Sequence, residues 1–162
     1  MSYVELHCHS AFSFLDGASL PDELVAAALE RGHTALALTD HDTVSGSMEF
    51  AQAAASLGLR AIHGAEVRVR DDGTPPDEPH RHLTLLVRDA TGWGSLCRLL
   101  TRAHGDTREG PRRIRTAPSL TLADVEEHAD ELVCLSGCAR EGVRDEPTMR
   151  RLLRAFGREG FR

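Results

Sequence analysis

The chain has 162 residues, a formal net charge of −6, 41% apolar and 27% charged residues. This length fits one domain, and the composition is that of a globular protein rather than a fibrous or disordered one. No run of about 18 apolar residues and no secretory signal pattern occur, so no membrane segment is predicted. The negative charge argues against nonspecific nucleic-acid binding by the whole chain. The four cysteines show no disulfide or C-x-x-C spacing, which fits a reducing cytoplasm.

Short apolar runs alternate with segments of helical periodicity along the chain. A strand is predicted at 3–6, and a capping pattern at 19–22 begins the first helix. Further strands are predicted at 35–39, 59–69, 82–87 and 132–136, and further helices at 45–57, 94–104, just after Thr121, and 147–156. Polar segments at 70–81 and 105–118 are predicted loops. Strands alternating with helices predict an α/β fold with a mainly parallel sheet.

Candidate functional residues follow the predicted strands. In α/β folds, sites form on the loops at the carboxyl ends of strands. His7 and His9 follow the first strand, and residues two apart on an extended chain point to the same face. The candidates at or near strand ends are His7, His9, Asp40, His41, Glu66, Ser136 and Cys138. Fold pattern and residue chemistry therefore point to the same edge of the predicted sheet.

The residue types at these positions predict a metal site. Imidazole nitrogen together with carboxylate oxygen suits Zn²⁺, Mn²⁺ or Fe²⁺, whereas Ca²⁺ and Mg²⁺ prefer oxygen alone. The candidates exceed the ligands of a single zinc ion, so two or three ions are predicted, with Glu66 and Asp16 as bridges. Paired ions about 3.5–4 Å apart can activate water and clamp a phosphate ester. The predicted chemistry is phosphoester hydrolysis by a metal-activated water.

Several candidates also have a simpler interpretation. His7 and His9 could be ordinary histidines at a strand end, and Asp16 could simply begin an Asp-Gly turn. An aspartate beside a ligating histidine often orients that ligand by a hydrogen bond, and we favour this role for Asp40. Cys138 could be a small buried apolar residue.

Two further clusters of side chains each allow two interpretations. His80 and His82 form a second H-x-H pair, in which His82 directly precedes a strand while His80 follows a proline. This placement favours His82 as a ligand. A loop with Arg112, Arg113 and Arg115 could contact a nucleic-acid backbone. Because no aromatic residues interleave with these arginines, a solvated loop is the favoured interpretation.

These motifs resemble those of the PHP (polymerase and histidinol phosphatase) superfamily. More narrowly, the chain resembles the N-terminal PHP domain of bacterial DNA polymerase III α-type enzymes, and most closely the error-prone branch. The motifs that carry the resemblance are ELHCHS at 5–10, FSFLDGAS at 12–19, ALTDHD at 37–42, GAE at 64–66, HL at 82–83 and LSGC at 135–138. Together they extend over nearly the whole chain.

The resemblance implies a distorted (β/α)7 barrel with up to three metal ions at the carboxyl ends of its strands. It implies metal ligation by His7, His9, Asp16, His41, Glu66, His82 and Cys138. Zn²⁺ and Mn²⁺ are the expected ions. Only five strands are predicted, and the Asp-x-His pair that ends the family pattern is not reached. We therefore expect residues 1–162 to be the N-terminal portion of a PHP domain, an incomplete barrel without polymerase domains.

Three functions follow from the sequence. The leading one is the PHP segment of an error-prone DNA-directed DNA polymerase for DNA-damage tolerance, with metal-dependent hydrolysis such as 3′–5′ exonuclease action. The implied partners are DNA, the other polymerase domains, and replication or translesion factors, in the cytoplasm and away from membranes. The first alternative is a free-standing phosphatase for a small phosphomonoester such as histidinol phosphate. The second is a noncatalytic scaffold that metal stabilises.

Overall fold

The structure, a computed structural model, describes residues 3–75, 80–105, 107, 116–137 and 141–162. The chain divides into two compact units, of which the first ends at Ala65 and the second begins at Glu66. Both contain helices and strands, so the α/β class predicted from the sequence is confirmed. In the described part of the chain, no helix combines the length and the apolar character that crossing a bilayer requires.

The first unit is built on two helices and two parallel strands. It contains α1 (Pro21–Glu30), β1 (Ala35–Leu38), α2 (Ser47–Leu57) and the first part of β2 (Arg60–Arg70). The strands β1 and β2 pair in parallel, as expected for two strands joined through one helix. The helix α1 packs against α2 and β1. The core of the unit consists of Val25, Ala28, Leu36, Leu38, Phe50, Ala54 and Leu59.

The strand predicted at 3–6 is reduced to a single parallel bridge between Glu5 and Leu36. The segment still runs beside β1, because the Thr39 amide donates to the Cys8 carbonyl at 2.9 Å. The Glu5 carboxylate accepts a hydrogen bond from the His7 amide at 3.0 Å. Such local side-chain bonds compete with strand pairing, which explains why the ladder is short.

The second unit contains the remaining strands and three helices. It comprises the rest of β2, β3 (Arg81–Val87), α3 (Ala90–Gly105), β4 (Leu120–Thr121), α4 (Leu122–Glu127), β5 (Leu132–Leu135) and α5 (Glu146–Gly160). The strand order is β2-β3-β5, with β4 beside β2. The helix α3 packs against β3, β4 and β5, while α5 packs against β5 and α4.

The direction of β5 differs from the mainly parallel sheet that the sequence predicts. The strand β4 is parallel to β2, but β3 and β5 are antiparallel, with Leu85 opposite Cys134. The crossover through a single helix is the usual connection of two parallel neighbouring strands. The connection from β3 to β5 contains two helices and β4, so it imposes no such direction.

Acidic and hydroxyl side chains set the starts of the helices in the second unit. The helix α3 begins at Ala90, four residues before the predicted start, because the Asp89 carboxylate accepts hydrogen bonds from two amides of its first turn at 2.8 and 3.0 Å. The helix α4 begins after Thr121, as predicted, with reciprocal bonds between Thr121 and Asp124 at 2.8 and 3.2 Å.

Candidate metal centre

His7 and His9 lie on the segment beside β1, with their imidazoles facing each other. Their Nε2 atoms are 3.1 Å apart, and the ring planes meet at 76°. Two imidazole nitrogens at this distance attract each other only if one of them carries a proton, whereas two lone pairs would need a shared cation. The two-residue spacing thus brings two strong metal-binding groups together on one side of the segment.

Asp16 joins these histidines to His41, which follows β1. The Asp16 Oδ2 atom lies 2.6 Å from the His9 Nδ1 atom and 3.1 Å from the His41 Nε2 atom. The rings of His9 and His41 are stacked at a tilt, with centroids 4.2 Å apart. Residues from two separate loops therefore direct two nitrogens at the same carboxylate oxygen.

The electrostatics of this group favour an ionised carboxylate. Hydrogen bonds that its carboxylate accepts from His9 and then from His41 lower the pKa of Asp16, against an opposing effect of burial. Ligand atoms of His9, Asp16 and His41 all lie within 4.8 Å of one another. Four ligands around a tetrahedral ion at about 2.1 Å are about 3.4 Å apart, so only small side-chain shifts separate this set from coordination geometry. The donor set of two imidazoles and one carboxylate therefore fits a divalent metal ion.

Asp40 holds the loop that carries Asp16. Its buried carboxylate accepts hydrogen bonds from the Ser10 amide at 2.7 Å, the Ser10 hydroxyl at 2.8 Å and the Ser13 hydroxyl at 2.7 Å. The Ser13 hydroxyl in turn accepts from the His41 amide at 3.1 Å. These three hydrogen bonds of the Asp40 carboxylate go to the loop and not to an imidazole ring. Asp40 thus positions the main chain on both sides of the candidate ligands.

Asp16 lies in a turn, as its simpler interpretation predicts, and its carboxylate also contacts two histidines. Its amide donates to the Ser13 carbonyl at 3.0 Å, so Asp16 does lie in a tight turn. A Cβ atom on the following residue, Gly17, would lie 1.9 Å from the Ser10 carbonyl oxygen. The glycine lets the loop fold back closely on itself, and this fold directs the Asp16 carboxylate at the histidines.

The second unit presents its own set of candidate ligands. Glu66 is buried on β2, and its Oε1 atom lies 3.2 Å from the Nδ1 atom of His82 on β3. The same His82 nitrogen lies 3.2 Å from a carboxylate oxygen of Glu141. The hydrogen bond to Glu66 raises the pKa of His82 against the opposing effect of burial, and the charge of Glu141 adds to the rise. His80 lies outside β3, in the segment that precedes it.

Glu141 is a residue that the sequence reasoning missed. It follows β5 in the same loop region as Cys138, so its position after a strand could have marked it. Its carbonyl accepts from the His82 amide at 2.8 Å, which fixes the loop against the start of β3. The approach depends on Gly137, at φ +89°, because a Cβ atom there would lie 2.3 Å from the His82 carbonyl oxygen.

Four predicted residues fall outside the described part of the chain. Cys138, predicted as a metal ligand, and Arg112, Arg113 and Arg115, predicted as a weak nucleic-acid contact, lie in segments that the structure does not describe.

Comparison with known proteins decides the family. The sequence profile of the PHP domain matches residues 5–158. The chain belongs to the PHP domain family. This PHP chain is 41% identical over 150 residues to the error-prone DNA polymerase of Symbiobacterium thermophilum, covering 86% of the chain and 13% of that protein. It is 40% identical over 169 residues to the error-prone DNA polymerase of Cutibacterium acnes, covering 96% of the chain and 14% of that protein. The family resemblance predicted from the motifs is confirmed.

Solved structures support the same fold. One neighbour, described as a candidate metal-dependent phosphoesterase of Bifidobacterium adolescentis, has a TM-score of 0.70 and 16% identity, covering 95% of the PHP chain and 74% of the neighbour. An amidohydrolase of Chromobacterium violaceum with bound sulfate and no metal has a TM-score of 0.64 and 21% identity, covering 98% of the PHP chain and 75% of the neighbour. At these identities the likeness concerns the fold. The chain spans only about one seventh of the two polymerases.

Proposed function

We propose that this chain is the PHP segment of an error-prone DNA-directed DNA polymerase, and that it hydrolyses phosphoester bonds at a DNA 3′ end with the help of two or three divalent ions. The polymerase part of the proposal is supported by the names of relatives at 40–41% identity. The hydrolytic part is carried by one observation, the meeting of His9 and His41 nitrogens at a single Asp16 oxygen.

The proposed ligands come from four parts of the chain. They are His7, His9, Asp16, His41, Glu66, His82 and Cys138. Divalent ions held by such ligands make water more acidic and polarise phosphoester oxygens. We assign to Asp16 the role of a carboxylate ligand, because hydrogen bonds with His9 and His41 lower its pKa and favour the ionised form. Glu66 contributes a buried negative charge beside His82, which would balance part of the positive charge of bound ions.

Asp40 has a positioning role in this proposal. Its three hydrogen bonds with Ser10 and Ser13 order the loop before any ion arrives. The conformational entropy of that loop is then lost on folding rather than on metal binding. The hypothesis that Asp40 orients a ligand thus takes a specific form, in which it acts through the main chain of the 10–17 loop.

Metal content and nuclease assays test the proposal together. Purified chain dialysed against Zn²⁺ or Mn²⁺ should retain about two or more equivalents, and it should release mononucleotides from 3′-labelled single-stranded DNA. Asp16→Asn and His9→Ala should lower both readings, while His104→Ala, an exposed histidine on α3, is the matched control. Absence of bound metal would overturn the site assignment. Release of phosphate from histidinol phosphate without DNA cleavage would instead favour the small-molecule phosphatase. Metal binding without either activity would favour the noncatalytic scaffold.

A further inference from the structure

The loop that carries Asp16 exposes two large apolar side chains at its tip. Phe14 is 87% exposed and Leu15 is 93% exposed, more than any other large apolar residue in the described part of the chain. Leu15 also has φ +70°, a left-handed conformation that a branched side chain adopts only at a cost of about 1–2 kcal/mol. Folding alone gives no reason for this choice, since glycine or asparagine would suit the turn better.

The tip is held rigidly despite its exposure. The amides of Asp16 and Gly17 both donate to the Ser13 carbonyl, at 3.0 and 2.9 Å, and the Ser13 amide donates to the Ser10 carbonyl at 2.9 Å. The Ser13 hydroxyl is fixed on the buried Asp40 carboxylate. Phe14 and Leu15 therefore project from a main chain that is anchored directly before and directly after them.

The neighbouring aromatic residue, Phe12, packs against the protein and so has a structural role in this loop. Its ring packs against Gly46, where its Cδ2 atom would lie 3.0 Å from an added Cβ atom, and it is less exposed than Phe14. Phe14 has no comparable burial. It lies two residues from Asp16, whose carboxylate contacts both His9 and His41. The exposed ring of Phe14 is thus carried by the same short loop as the candidate ligand Asp16.

We propose that Phe14, with Leu15 beside it, is a stacking platform for the unpaired terminal base of a nucleic-acid strand whose last phosphodiester lies at His9, Asp16 and His41. This inference rests on the proposed function and names how the substrate is held. Aromatic rings stack on any base, because every base has a π-face, so the platform would bind single strands without sequence preference.

The size of the exposed tip favours a base over a protein partner. A stable protein interface buries about 1,000 Å² or more, whereas a single aromatic side chain contributes about 150–250 Å². A protein that covered Phe14 and Leu15 would also cover the neighbouring Asp16, whose side chain is 57% exposed. A single base would cover less surface than a protein partner and would leave the carboxylate accessible to the phosphate that follows it.

Binding of two oligonucleotides tests the platform. The metal-loaded chain is titrated into a 5′-fluorescein-labelled single-stranded 12-mer that ends in an ordinary nucleotide, or into the same strand with an abasic 3′ residue, and anisotropy gives Kd. Phe14→Ala should weaken binding of the ordinary strand about 5- to 100-fold. It should change binding of the abasic strand much less, and Phe14→Trp should restore the affinity. Leu57→Ala removes an apolar side chain that is 53% exposed at the end of α2 and is the matched control.

Several results would overturn the platform. One is equal affinity of wild type and Phe14→Ala for the ordinary strand. The exposed tip would then be explained by contact with another part of a longer protein. Another is an equal loss for both strands, or a loss of folding stability in Phe14→Ala. Because the titration needs no cleavage, a wild-type chain that binds in this way but releases no nucleotide would refute the hydrolytic function and not the platform.

Discussion

Replacing Asp40 by alanine should lower the free energy of unfolding of the metal-free chain by about 3–5 kcal/mol. The carboxylate is 1% exposed and accepts three hydrogen bonds, at 2.7, 2.8 and 2.7 Å. Each hydrogen bond to a charged group contributes about 1.5–3 kcal/mol, so the gross loss is about 4.5–9 kcal/mol. Part of it is offset, because a buried charge is removed and the Ser10 and Ser13 hydroxyls can turn to other acceptors. The Ser10 amide has no such freedom and is left unsatisfied.

Urea unfolding in EDTA, followed by circular dichroism, measures this change. With a slope near 2 kcal/mol/M, the midpoint should fall by about 2 M. Since the whole chain is stabilised by only about 5–15 kcal/mol, Asp40→Asn is needed as a milder variant, with an expected loss of about 1–2 kcal/mol. Glu30→Gln removes an exposed charge from the end of α1 and should shift the free energy by less than about 0.5 kcal/mol.

Hydrogen exchange separates a local effect on the loop from a global one. Amides of the 10–17 loop should lose protection in Asp40→Asn before those of α2 do, because the three hydrogen bonds lie in that loop. Ser13→Ala removes one of them, together with the bond from the His41 amide, and should reproduce part of the effect. A free energy of unfolding of Asp40→Ala within about 0.5 kcal/mol of the wild-type value would refute this reasoning.

Three further predictions concern the second unit and the metal. Gly137→Ala should destabilise the chain by about 2–4 kcal/mol, because its Cβ atom would lie 2.3 Å from the His82 carbonyl oxygen; an unchanged thermal midpoint would contradict this. Arg151→Met should lower the free energy of unfolding by about 1 kcal/mol at low salt and by less in 1 M NaCl. The reason is that the bonds of Arg151 to Glu126, at 2.8 and 2.7 Å, and to Asp72, at 2.8 Å, are partly exposed. Burial raises the pKa of Asp72, but hydrogen bonds from an amide and from Arg151 bring it below 3.8. The stabilisation of the fold by ionised Asp72 is therefore present above about pH 4, and it is lost as the pH falls through the lowered pKa. Arg151→Met should therefore flatten the acid side of a plot of urea midpoint against pH, and an identical slope would refute the link. Removal of metal by EDTA should lower the thermal midpoint by about 5–10 °C if the ion is present at about 100 times its Kd, whereas an equal midpoint would show that no ion stabilises the folded state.

The sequence predicts the interior elements better than the segments beside the site. The strands β1 and β3 and the helix α2 are found within two residues of the predicted bounds, because buried apolar runs and helical periodicity are local signals. The first predicted strand is not found as such, since the Glu5 side chain binds the His7 amide. The start of α3 depends on Asp89 as a cap, and an aspartate directly before the helix is a signal that the sequence carries.

The candidate site shows the same division between local and distant information. The two-residue spacing of His7 and His9 is enough to predict that their rings lie together. By contrast, the three bonds of Asp40 cross about 30 positions of sequence, to Ser10 and Ser13. Contact of Glu141 with His82 likewise depends on the antiparallel pairing of β3 and β5, which the alternation of strands and helices does not reveal.

The source of order in the 10–17 loop determines how substitutions at the candidate centre should differ. Asp16 lies in a loop that Asp40 already orders, so its replacement removes a proposed ligand and leaves the hydrogen bonds of Asp40 to Ser10 and Ser13 in place. Metal affinity should then fall with little change in metal-free stability. Loss of Asp40 removes the order itself, so metal binding must compensate for the entropy of the loop, and stability and affinity should fall together. A plot of metal affinity against metal-free stability therefore separates ligands from positioning residues without any measurement of catalysis.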